Sequence, residues 1–154
     1  MSFYNKHIAF LINRTLIELD LYSVAASQLL LGTLAIESLF GKYLRQRSKY
    51  EFDINKHGLG IFQIEKNTFN WLKRKYLHRF PIIAGMSFEQ LEYDLRASII
   101  FARLRYLVVR EPLPAANDIK SMAEYWKKYY NASVYGMSVR DFINRYNSYV
   151  KQTL

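Results

Sequence analysis

The chain has 154 residues, 51% of them apolar, and carries a formal charge of +9 at pH 7. That size suits one folded unit, and the lack of any cysteine excludes a disulfide framework and a thiolate metal site. With only three scattered histidines no metal or cofactor is expected, while the charge favours polyanionic partners such as nucleic acid, anionic lipid or an acidic cell wall.

Ile8, Leu11, Ile12, Thr15, Leu16 and Leu19 recur at three- and four-residue steps, which predicts an amphipathic helix over about residues 4 to 19. Asn13 and Arg14 interrupt its apolar run before a signal-peptide core could form. Ser23 can cap a second helix to about Phe40, apolar nearly all round. The stretch from Leu21 to Phe40 approaches membrane-spanning length, but Ser23, Ser27, Gln28, Thr33, Glu37 and Ser38 within it favour a buried central helix.

Gly41 is a natural stop, and Lys42 to Lys56 then loses helical period and reads as a loop or small β-hairpin. Gly58 and Gly60 precede Ile61-Phe62-Gln63-Ile64, a short strand-like or turn segment, and a helix capped by Asn67 follows. Ser87 and Gln90 form a capping-box pattern ahead of about six helical turns reaching Val109. Pro112 and Pro114 break that helix, Asp118 can cap another through Tyr129, and Ser138 with Asp141 signals a last one.

Glu37 is the residue out of place. It sits in the last turn of an apolar helix beside Leu34, Ile36 and Phe40, where burial and the negative helix end both favour the protonated carboxyl. A carboxylic acid kept neutral near the working pH can protonate a glycosidic oxygen. A structural ion pair with one of the many lysines and arginines is the plain alternative.

Glu37-Ser38-Leu39-Phe40-Gly41-Lys42, then Gly58-Leu59-Gly60-Ile61-Phe62-Gln63-Ile64, then Tyr130-Asn131, together resemble the signature of the lytic transglycosylase and goose-type lysozyme families. The resemblance spans roughly residues 30 to 132. Phe62 stands where methionine is common in those families, and Ser133 where glycine is usual.

The resemblance implies a mainly α, lysozyme-like (α+β) domain over residues 1–154, with a small β-hairpin or loop region after the catalytic helix. It implies cleavage of the β-1,4 bond between N-acetylmuramic acid and N-acetylglucosamine in peptidoglycan, with Glu37 as general acid. Asp53 is the first candidate to activate water, and Glu51 and Glu65 follow. Ser38, Gly60, Gln63, Glu65, Tyr130 and Asn131 would line the cleft or hold the acid and sugar amides.

The expected partner is the peptidoglycan strand, met by a monomer with no obligatory nucleic acid and no membrane-spanning segment. Without an export signal the protein would be made in the cytoplasm and reach the wall after release or within a virion, as bacteriophage enzymes do. Two other classes stay open: a basic helical nucleic-acid-binding module, suggested by Trp71-Leu72-Lys73-Arg74-Lys75-Tyr76 and Trp126-Lys127-Lys128-Tyr129-Tyr130, and a virion structural protein without catalysis.

Overall fold

The computed structural model describes residues 3–45, 51–133 and 136–151. Among the described residues there are six α-helices: α1 (Phe3–Glu18), α2 (Val24–Ser38), α3 (Lys66–Tyr76), α4 (Leu95–Leu107), α5 (Ile119–Tyr129) and α6 (Val139–Arg145), the last continuing into a π-helical turn at Tyr146–Val150. Helix α2 is the hub. Leu29, Leu30, Leu31, Leu34 and Ala35 are almost wholly buried, and α1, α4, α5 and α6 all pack against it, as an all-round apolar helix requires.

Local chemistry explains most boundaries. The Ser23 hydroxyl accepts from the Ala26 N–H at 3.0 Å and starts α2. Asp118 caps α5 by accepting from the Ser121 N–H at 3.1 Å, and Ser138 with Asp141 forms a complete capping box on α6. Asn67 caps nothing, because α3 has already begun at Lys66 after an uncapped Glu65.

The long helix expected from Ser87 does not form. The Ser87 N–H donates to Gln90 Oε1 at 3.3 Å, but Gln90 Nε2 turns to Asp94 Oδ2 at 2.7 Å, so only half of the box exists. Asp94, extended and accepting from the Ala97 N–H at 3.0 Å, is the stronger cap and starts α4 one turn later than Leu91. The intervening chain makes a 3-10 turn, Glu89–Glu92, and Pro81–Gly85 makes another.

The expected α+β character is corrected. Among the described residues there is no strand and no sheet, only the isolated antiparallel bridges Arg45–Leu59 and Leu59–Ile64. Residues 46–50 of the anticipated hairpin lie outside the described residues. Of the two readings open to Ile61-Phe62-Gln63-Ile64, strand-like or turn, the segment is a tight turn, in which Leu59 and Ile64 exchange both backbone hydrogen bonds at 3.0 and 3.2 Å. Gly60 has φ +80°, and a Cβ there would lie 2.2 Å from the Leu91 carbonyl oxygen, so the turn is pressed too closely against the neighbouring chain for any other residue. No helix among the described residues is long and apolar enough to cross a membrane.

Candidate active site

Helix α2 ends at the candidate acid with an unusual backbone. Leu39 (φ 51°), Phe40 (φ 56°) and Gly41 (φ 85°) are consecutively left-handed, a conformation that only the glycine adopts freely. The helix therefore stops at Ser38, two residues short of the expected end at Phe40. Ser38 holds this corner: its hydroxyl accepts from the Gly41 N–H at 2.9 Å and donates to the Leu34 carbonyl at 3.3 Å. Ser38 is wholly buried and touches neither Glu37's carboxylate nor the groove beside it.

That groove has a volume of about 680 Å³ and is lined by Glu37, Tyr43, Gln63, Glu65, Tyr130 and Asn131, among others. Its size falls within the usual range for ligand clefts. Trp126 Nε1–H donates to Glu37 Oε1 at 3.0 Å, and Asn131 Nδ2–H donates to the same oxygen at 3.4 Å. Among the described residues Oε2 accepts no hydrogen bond. Two donors on one oxygen need its lone pairs, so in the neutral acid the proton resides on Oε2.

Burial pushes the Glu37 carboxyl up to about 7, against the opposing pull of the Trp126 and Asn131 hydrogen bonds and of the Arg145 and Lys127 charges. Two cations thus stand close enough to act on Glu37. Both are engaged with backbone. Arg145 Nη1 donates to the Ile36 carbonyl at 2.8 Å and the Ala35 carbonyl at 3.4 Å, neutralising a helix end that has no basic residue of its own. Lys127 Nζ donates to the carbonyls of Ser133 at 2.6 Å and Met137 at 2.8 Å, and so closes the loop that carries Asn131. Desolvation outweighs these cations because neither makes a direct ion pair with the carboxylate.

The other wall is the Gly60–Gln63 turn. Gln63 is left-handed (φ 53°), and its Nε2 donates to the Gly60 carbonyl at 2.9 Å and the Tyr43 carbonyl at 3.3 Å. The Tyr130 hydroxyl donates to the Phe62 carbonyl at 2.6 Å, which fastens the end of α5 to the turn. Burial and the nearby Glu37 carboxyl push the Tyr130 phenol well above its ordinary value, so it remains a hydrogen-bond donor at every working pH.

The three motifs thus meet at one groove, although they are far apart in sequence. Besides Ser38, three anticipated residues lie apart from it. Gly60 is buried and supports the turn from behind. Asp53, first candidate for water activation, is absent from the groove lining; its Oδ1 accepts from the Asn55 N–H at 2.9 Å and its backbone N–H donates to His57 Nδ1 at 2.9 Å, an arrangement that builds a local turn. Glu51 is likewise exposed and outside the groove. Glu65 does line the groove, as an exposed residue.

No family model, curated protein or solved structure matches the chain. Among the described residues no three His, Cys, Asp or Glu side chains gather as a metal cluster.

Two residues of the site were not singled out by the sequence as site members. Trp126 was read as part of a basic, aromatic string, yet it is completely buried with its one N–H on Glu37. Arg145 had no motif. Its only signal was indirect: helix α2 lacks a basic residue in its last turn, so its terminal carbonyls needed a donor from elsewhere.

Proposed function

We propose that this chain is a glycosidase acting on peptidoglycan glycan strands, with Glu37 as the general acid. The observation that carries the reading is a carboxyl held near pKa 7 at the wall of an open groove, with one oxygen fixed by Trp126 and Asn131 and the other accepting no hydrogen bond from the described residues. Oε2 would deliver its proton to the glycosidic oxygen as the bond from that oxygen to the sugar's anomeric carbon breaks. Trp126 and Asn131 then stabilise the carboxylate that remains, at the moment its charge appears.

The absence of Asp53 from the groove favours completion by the sugar's own hydroxyl, which attacks the anomeric carbon, returns a proton to Glu37 and leaves an anhydro sugar. Glu65 supports the hydrolytic variant, being the second carboxylate along the groove. The products decide between them.

Purified peptidoglycan incubated with the protein, followed by mass analysis of soluble sugars, is the test. Anhydro ends are expected; reducing ends would transfer the second role to Glu65. Glu37→Gln is expected to lower the rate by about 10²–10⁴-fold, and wild-type activity should fall as pH rises through about 7, where the acid loses its proton. Sugar release undiminished in Glu37→Gln would overturn the assignment.

A further inference from the structure

A second cavity, about 150 Å³, adjoins the groove and shares Gln63, Glu65 and Tyr130 with it; Ile64, Thr68 and Arg105 complete its lining. Its volume equals that of about five water molecules, enough for a carboxylate and one or two carbons. The shared wall places the smaller cavity beside a sugar lying in the groove.

Arg105 sets its chemistry. It stands in the last turn of α4, is half-buried, and makes no hydrogen bond or ion pair with any described residue. The groove's other arginines are engaged: Arg145 with the α2 carbonyls, and Arg45 with Glu92 at 2.6 Å. Glu65 opposes an anion here, but it is exposed, where water screens its charge more than that of the half-buried guanidinium. A guanidinium with free donors at the wall of a small polar cavity matches a planar carboxylate, which it can grip through two parallel hydrogen bonds.

We propose that this cavity is a carboxylate subsite in which Arg105 recognises an acidic substituent on the bound glycan. The inference rests on the glycosidase reading and assigns the groove a specificity for substituted, anionic sugars over plain amino-sugar polymers. Two sources share that chemistry, the carboxyl groups of the stem peptide and the lactyl carboxylate that is freed when the peptide is removed.

The test measures binding in the Glu37→Gln background, which holds glycan without cutting it. Three ligands are titrated: peptide-bearing muramyl glycan, the same glycan stripped of peptide, and an uncharged chito-oligosaccharide. Adding Arg105→Gln is expected to weaken an anionic ligand about tenfold, the loss of one charge-assisted contact, relative to the neutral one, with partial recovery in Arg105→Lys. Loss confined to the peptide-bearing glycan assigns the stem carboxyl; loss confined to the stripped glycan assigns the lactyl group; loss on both supports the subsite for either source. Equal change on all three ligands, no change on any, or no binding of an anionic glycan by the Glu37→Gln parent overturns it. Wild-type cleavage is scored in parallel, so an anion-selective Arg105 effect without cleavage retains the subsite and removes the glycosidase reading, and the converse result does the opposite.

Discussion

At Glu37 the chemistry proposed for activity carries a cost in stability. Its carboxyl moves from an ordinary 4.5 to about 7 on folding, so the folded chain binds a proton that the unfolded chain releases. Stability linked to this group is unaffected below about 4.5, declines as pH rises towards 7, and is then lower by a constant amount, on the order of 3 kcal/mol. Glu37→Gln, which cannot ionise and still offers Oε1 to Trp126 and Asn131, should melt above the wild type at pH 8 and close to it at pH 4, as thermal unfolding at both pH values would reveal. An equal difference at the two pH values would mean that the carboxyl is not held neutral. Glu37, Gln63, Tyr130 and Asn131 were legible in sequence because each belongs to a short local string. Trp126 and Arg145 were not: they meet α2 across 89 and 109 residues respectively, a separation at which spacing says nothing about contact.

Between elements, the site depends on how closely α6 approaches α2. A Cβ on Gly32 would lie 2.3 Å from Phe142 Cζ, and the Phe142 ring is fully buried with Trp126 at 5.5 Å and Tyr146 at 6.4 Å between centroids. Alanine would gain about 1 kcal/mol of helix propensity, but overpacking costs about 1–3 kcal/mol, so crowding prevails. Gly32→Ala should therefore melt several degrees lower and lose activity, because Phe142 presses on the ring whose N–H fixes Glu37. Gly85→Ala is the control, since nothing lies within 4 Å of a Cβ there; a Gly32→Ala protein indistinguishable from it would show that the contact yields freely. The same scale explains what the sequence conveyed about the fold. Apolar periodicity and strong caps located α1, α2, α5 and α6 well, since those signals are local. It misplaced the start of α4, where two capping patterns competed, and it left residues 42–56 open between loop and hairpin and residues 61–64 between strand and turn, of which the described residues form no strand, because a short apolar run cannot distinguish a strand without its partner.

Across the whole molecule the positive charge is unevenly placed. Residues 66–88 contain Lys66, Lys73, Arg74, Lys75 and Arg79 and no aspartate or glutamate, and none of these cations lines the groove. Lys73 is tied to the Met86 carbonyl at 2.6 Å, whereas Arg74, Lys75 and Arg79 are exposed. Charge located away from the reacting centre cannot stabilise its transition state strongly, because screening removes most of its field within about 10 Å at 0.1 M salt. It can still raise the rate of encounter with an acidic wall polymer. Neutralising Arg74, Lys75 and Arg79 to Gln should accordingly lower kcat/KM several-fold at low salt while leaving kcat and the pH dependence near 7 intact, with the difference from wild type vanishing as salt increases. Initial rates against peptidoglycan over a range of salt concentrations would measure this. A fall in kcat that salt does not erase would place these residues in the chemistry. Duplex DNA provides the counter-test: if it binds wild type with a steep salt slope that the triple variant loses, and Glu37→Gln leaves that binding unchanged while peptidoglycan is never cut, the basic face serves nucleic acid and the groove needs another explanation.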